Sequence, residues 1–144
     1  IPWEVVLLFG GGLALAKGFE VSGLSGEIAK GLGGLQGLPV ILMMFVLALS
    51  VAFLSEVTSN TAIATLLMPI LAPFAKASDL GPEVIMLPAA LAASCGFMLP
   101  VATPPNAVVY GSGRVPMRFM VRTGFWLNIV GVCTVSLVLW LYSL

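Results

Sequence analysis

The chain has 144 residues, of which 60% are hydrophobic and 8% charged, and its mean hydropathy is +1.14. Six basic and six acidic residues cancel, and there is no histidine. A soluble domain carries about 25% charged residues, so this composition excludes one; without a basic stripe, nucleic-acid binding is excluded as well. The class is an integral membrane protein, with the lipid bilayer as its solvent.

The chain starts at Ile1 directly on an apolar segment, with no basic leader region or cleavage site before it. This predicts a piece of a longer protein. Cys95 and Cys133 lie in apolar runs without metal-ligand spacing and are expected to be packing residues. From Pro2 to Phe19 the sequence is nearly all apolar and reaches the roughly 20 residues a spanning helix needs. Trp3 is placed to anchor at an interface, and Gly10-Gly11-Gly12 permits close approach of another helix. Residues 17–37 change character, with Lys17, Glu20, Glu27, Lys30 and many glycines. Within them 25–32 predicts a short amphipathic helix lying at the interface.

Residues 38–75 carry one charge, Glu56, yet residues 55–61 read Ser-Glu-Val-Thr-Ser-Asn-Thr. No solvated loop divides this run, and each arm has about 17 residues, slightly short of a span. The expectation is a re-entrant hairpin whose tip stops inside the membrane, which requires the tip to face protein or water. Residues 76–83 form a true loop, with turn signals at Asp79 and Gly81-Pro82.

Residues 84–113 then run without a charge for longer than one span. Pro100, Pro104 and Pro105 account for the excess, because the residue before a proline is pushed out of the helical region. The expectation is one broken helix: Val84 to about Leu99, an unwound stretch, then a second half from Pro104. Residues 119–144 are the last spanning helix, with Trp126, Trp140 and Tyr142 as anchors. Arg114, Arg118 and Arg122 precede or open it without an intervening acid. The positive-inside rule places them in the cytoplasm; the 76–83 loop, the 17–37 connector and the C-terminus are then outside, and Ile1 inside.

Both interruptions carry helix-capping chemistry. Ser59 or Asn60 starts the second hairpin arm, and Thr103 with Pro104 is a natural N-cap and first-turn pair. Two helix N-termini converging in a dry site bind an anion, above all a carboxylate, without a basic side chain. The same breaks free backbone carbonyls at the end of the first hairpin arm and at Val101-Ala102. With the amide oxygens of Asn60 and Asn106, these are hard ligands suited to sodium. Glu56 has three open roles: cation ligand, helix-end group, or partner of a basic residue elsewhere.

At these residues the chain resembles the C-terminal half of the divalent anion/sodium symporters, carriers of di- and tricarboxylates and sulfate. The stretches are Leu7 to Gly12, Ser55 to Ala62 and Ala93 to Ala107, and the likeness covers essentially the whole chain. The resemblance implies an all-α membrane protein, one half of an inverted-repeat pair with a re-entrant helical hairpin and a broken transmembrane helix. Residues 1–37 would be scaffold helix and interfacial arm. Residues 38–144 would be half of the transport domain, comprising the hairpin (38–75), the broken helix (84–113) and the last helix (119–144). It also implies substrate contacts from Ser59, Asn60, Thr61, Thr103 and Pro104. A sodium ion would lie at Ser55, Thr58, Asn60 and Ala102, with Asn106 a weaker candidate. The family works as a homodimer through its scaffold, by an elevator motion, in the cell (inner) membrane as a multi-pass protein; the N-terminal repeat is the missing partner.

The expected function is sodium-coupled symport of small dicarboxylates such as succinate or malate, not enzymatic catalysis. The alternatives are a sodium-independent carboxylate exchanger, or a related citrate or arsenite carrier. A membrane enzyme has neither a histidine nor a buried aspartate pair to work with, and a purely structural subunit would leave both interruptions unemployed.

Overall fold

A computed structural model describes residues 3–35 and 37–143. Among them the secondary structure is helical throughout: α1 (Trp3–Ser22), α2 (Leu24–Gly31), a 3₁₀ turn (Leu32–Leu35), α3 (Val40–Ser55), α4 (Asn60–Ala77), α5 (Pro82–Ala92), α6 (Pro104–Gly111) and α7 (Met117–Tyr142). The expectations placed on Ile1, Pro2 and Leu144 lie outside the described residues.

Three helices each bury one stripe, and α4 adds Ile63, Leu71, Phe74 and Ala75 to the core. On α3 the stripe is Met43, Met44, Leu47, Ala48, Val51, Ala52 and Ser55; on α5 it is Val84, Ile85, Pro88, Ala89 and Ala92. These residues recur every three or four positions, so each set covers one helical face. On α7 the stripe falls every fourth residue, at Met120, Gly124, Asn128, Val132 and Ser136. α3 packs against α5 and α7, α4 packs against α5, and α1 and α2 lie on α4. Phe74 of α4 is wholly buried in the same cluster.

Length separates the helices. α7 has 26 residues and is the one helix among those described that is both long and apolar enough to cross a membrane; at 1.5 Å per residue it is about 39 Å long. α3, with 16 residues, reaches about 24 Å, less than the roughly 30 Å hydrocarbon core. Residues 56–59 join α3 to α4, so the interruption at the Ser-Asn-Thr triplet falls where the sequence places it. The two helices do not lie tightly along each other. An apolar cleft of about 530 Å³ opens between them, lined by Val46, Ser50 and Leu54 on one side and Leu67, Ile70 and Leu71 on the other. α4 runs through Pro69 and Pro73 without a break.

The amphipathic segment expected at 25–32 is α2, closed by an exposed Lys30–Glu27 ion pair at 2.7 Å. The loop after α4 turns at Asp79, which takes a left-handed φ of 54°. Cys95 is buried as expected for a packing residue, whereas Cys133 is exposed on α7.

The stretch expected to be one broken helix holds two helices, α5 and α6, and the end of the first differs from expectation. The first half ends at Ala92, seven residues before Leu99, and begins at Pro82. The last turn tightens, with Ser94 N–H donating to Leu91 O and Cys95 N–H to Ala92 O, three residues back. Beyond Gly96, the amides of Phe97, Met98 and Leu99 all donate to the Glu56 side chain. Those donors are therefore taken from the helical ladder well before the prolines are reached. α6, by contrast, starts at Pro104, where the proline pair predicts.

α7 reaches this unwound segment because it has glycine where they meet. A Cβ at Gly124 would lie 2.3 Å from the Phe97 carbonyl oxygen and 2.6 Å from Met98 Cα, both backbone atoms. Gly111 has open space around it. We expect Gly124→Ala to destabilise the full-length protein by about 1–3 kcal/mol through overpacking, and Gly111→Ala to leave the thermal midpoint nearly unchanged. Equal midpoints for the two variants in a detergent melt would show that α7 does not rest on the break.

Candidate functional site

The two interruptions meet at one cavity of about 490 Å³, lined by Val57, Thr58, Ser59, Asn60 and Thr61 from the α3–α4 link and by Val101, Ala102, Thr103 and Pro104 from the break. No lining residue is charged. The cavity lies at the N-termini of both α4 and α6, each of which presents the positive end of its dipole there.

The two N-termini are finished differently. At α6, Thr103 Oγ1 accepts from the Asn106 amide at 3.4 Å, and Pro104 and Pro105 have no N–H to satisfy. At α4, Ser59 occupies the cap position with extended backbone, but its side chain makes no cap bond. The first-turn amides of α4 are thus left for whatever enters the cavity, and the Ser59 hydroxyl lies in its wall.

Carbonyl oxygens face the opposite shortage. Pro104 and Pro105 remove the N–H groups that would have reached back four residues to Pro100 and Val101. Asn106 N–H, which would have served Ala102, is spent on Thr103. Among the described residues no backbone amide donates to the carbonyls of Val57, Thr58, Val101 or Ala102. Thr58 Oγ1 donates to Leu54 O at 2.8 Å, which leaves its oxygen lone pairs free to accept. Asn60 Oδ1 is buried with no hydrogen-bond partner among the described residues. Gly96 lies beneath it: a Cβ there would sit 3.7 Å from Asn60 Oδ1 and 3.7 Å from Thr103 Cγ2. The wall therefore offers unsatisfied N–H groups and unsatisfied oxygens side by side.

Of the residues singled out from the sequence, Thr58, Ser59, Asn60, Thr61, Ala102, Thr103 and Pro104 line this cavity. Ser55 and Asn106 are not among the lining residues. Ser55 is buried, its hydroxyl donating to Ala52 O at 2.8 Å. Asn106 turns its amide onto the break, donating to Gly96 O at 2.9 Å and Leu99 O at 3.0 Å. From α6 it reaches back into the unwound segment and ties Gly96 to Leu99.

Glu56 stands at the C-terminal end of α3 and meets no basic side chain among the described residues. It is 3% exposed, and its carboxylate accepts from the amides of Phe97, Met98 and Leu99 at 2.8–3.0 Å and from Asn128 Nδ2 at 2.6 Å. Sequence reasoning missed Asn128. Its signal was an amide side chain in the middle of an otherwise apolar spanning helix, which the membrane tolerates when it is bonded.

Residues 1–144 match the family described as the sodium:sulfate symporter transmembrane region. The chain belongs to this family. A sodium-dependent dicarboxylate transporter of Staphylococcus saprophyticus, SdcS, is 45% identical over 140 residues, covering 97% of this chain and 27% of that protein. The SdcS proteins of Staphylococcus aureus strains USA300 and NCTC 8325 are 48% identical over the same length and cover. The chain thus spans about a quarter of the curated relatives it matches. The symporter family accounts for the membrane composition.

The Asn106 brace is open to direct test. Asn106→Asp keeps the shape but sets a carboxylate oxygen against two carbonyl oxygens. In the full-length protein we expect a loss of about 1–3 kcal/mol, more than for Asn106→Leu, which only deletes the donors. An Asp variant as stable as the parent would show that the amide is not the brace.

Proposed function

We propose that this chain is a C-terminal part, about a quarter, of a secondary transporter that carries a small dicarboxylate, such as succinate or malate, together with sodium. The observation that carries this reading is the single cavity at which the α3–α4 link and the proline break meet, with two helix N-termini and a set of unpartnered oxygens in its wall. The names of the relatives support the substrate class and the coupling ion; the family description adds sulfate as a competitor.

In this mechanism one carboxylate of the substrate accepts from the first-turn amides of α4 and α6, from the Ser59 and Thr61 hydroxyls, and beside Thr103-Pro104. Sodium takes Asn60 Oδ1 with carbonyl oxygens of the link and of Val101-Ala102, and Ser55, Thr58 and Asn106 support that side. The other substrate carboxylate is met by the N-terminal repeat. α3 and α4 form a re-entrant hairpin, α5 and α6 a broken transmembrane helix, and with α7 they move as a transport domain in an elevator. α1 and α2 are the scaffold side, through which the protein dimerises in the cell membrane.

Three outcomes are expected. Full-length carrier in vesicles takes up labelled succinate only with a sodium gradient; malate and fumarate compete strongly, citrate and sulfate less. Uptake of succinate that ignores sodium would instead establish the exchanger. In the same protein, Asn60→Ala weakens both sodium and succinate and reduces their coupling from a typical value of about 1–3 kcal/mol, which is reciprocal by linkage. Thr103→Ala weakens mainly succinate. Binding of each ligand with and without the other decides this, and an unchanged coupling in Asn60→Ala would remove Asn60 as the shared ligand. For topology, a cysteine at Asp79 reacts with an impermeant thiol reagent from outside and one at Arg118 only from inside. Labelling of both from one face would contradict either the re-entrant hairpin or the crossing of the broken helix.

A further inference from the structure

Glu56 stands outside the mechanism just given, yet it is the most costly side chain in the interior. An ionised carboxylate buried without compensation is strongly unfavourable. Here every donor it meets among the described residues is neutral: three successive backbone amides and one side-chain amide. Its own helix gives no help, since Glu56 follows the C-terminus of α3, where freed carbonyls repel negative charge. The break supplies what is needed, because amides released from a helical ladder are also unsatisfied until something accepts from them. Successive N–H groups aimed at one anion form a well-known cradle for negative charge, and hydrogen bonds to an ionised acceptor are short and strong.

The consequence is geometric. Glu56 lies three and four residues before Ser59 and Asn60, and Phe97 to Leu99 lie shortly before Val101 to Pro104. The carboxylate therefore ties the back of one cavity wall to the back of the other. Asn128 ties both to α7, which approaches closely because Gly124 has no side chain.

We propose that Glu56 is a positioning residue: through the amides of 97–99 and through Asn128 it holds the α3–α4 link and the helix break at the separation that sodium and substrate require, without contacting either. The functional consequence rests on the transport reading above; the clamp itself does not.

The test uses the full-length carrier and two readouts. The first is amide hydrogen exchange at residues 97–99 by mass spectrometry in detergent. The second is sodium-driven succinate uptake, resolved into maximal rate, succinate KM, sodium half-saturation and sodium Hill coefficient. Glu56→Gln keeps the size of the side chain but turns one acceptor oxygen into a donor facing the amides. It is expected to speed exchange at 97–99 and to raise succinate KM and sodium half-saturation together, each by about tenfold or more. Maximal rate and Hill coefficient stay near the parent's, because saturating ligands reassemble the walls. Asn128→Ala leaves the backbone cradle intact and is expected to give the same pattern at smaller size. A lowered Hill coefficient with succinate KM unmoved would make Glu56 a cation ligand and overturn the proposal. Unchanged exchange at 97–99 would overturn it too, as would a lower maximal rate with both affinities intact, which marks loss of folded carrier only. If Glu56→Gln does not fold, Asn128→Ala decides by the same criteria. Should the parent show no sodium-dependent uptake, the transport reading fails, while the exchange result still decides whether the clamp exists.

Discussion

A buried carboxylate whose donors among the described residues are all neutral constrains everything around it. Glu56 is tolerable in this interior because four neutral donors converge on it, and three of those donors exist only because the chain after Ala92 has left the helix. The dependence runs both ways. Without the carboxylate, the amides of Phe97, Met98 and Leu99 would be stranded among apolar side chains, at a cost comparable to losing several hydrogen bonds. The end of α3 and the break between α5 and α6 are thus each unstable alone and stable together. That reciprocity lets two interruptions, some forty residues apart in sequence, come to one place without a loop or a cross-link.

The break also sorts its polar groups by side. Amides 97–99 turn toward Glu56, and the carbonyls of Gly96 and Leu99 are taken by Asn106. At the cavity, the carbonyls of Val101 and Ala102 have no backbone donor among the described residues, because the two prolines and the Thr103 cap deprive them of helical ones. Across the cavity the link behaves in the same way. Its buried side is closed by Glu56 and by the Ser55 and Thr58 hydroxyl bonds, while Asn60 Oδ1 is left without a partner among the described residues.

Much of this was legible in the chain itself. The membrane class follows from the charge content. Both interruptions follow from local chemistry, a polar triplet in an apolar run and a proline pair behind a threonine, and the start of α6 at Pro104 follows from proline sterics alone. What was not legible depends on long-range pairing. The early end of α5 at Ala92 could not be read from the prolines, because the agent that draws off its amides lies on another helix. The destination of Glu56 could not be read either, since the sequence shows a charge needing donors but not which donors. Ser59 illustrates a subtler gap: its position at the helix start is dictated by residue type, but whether its hydroxyl caps the helix or faces the cavity depends on what stands opposite. Asn128 was overlooked because one amide in a spanning helix is easily read as packing.

The neutrality of the cavity wall follows from this division of labour and bears on how a carrier would work. A lysine or arginine in the wall would attract an anion at all times, and would itself need a counter-charge whenever the site was empty. Backbone amides and helix dipoles carry only partial charge, so they hold an anion weakly on their own. A cation held by the oxygens alongside would add the missing attraction, and only while it is bound. In the proposed transporter the coupling of the two ligands then needs no moving relay: it arises because one wall presents donors and acceptors within a single cavity, held in register from behind by a charge that touches neither ligand.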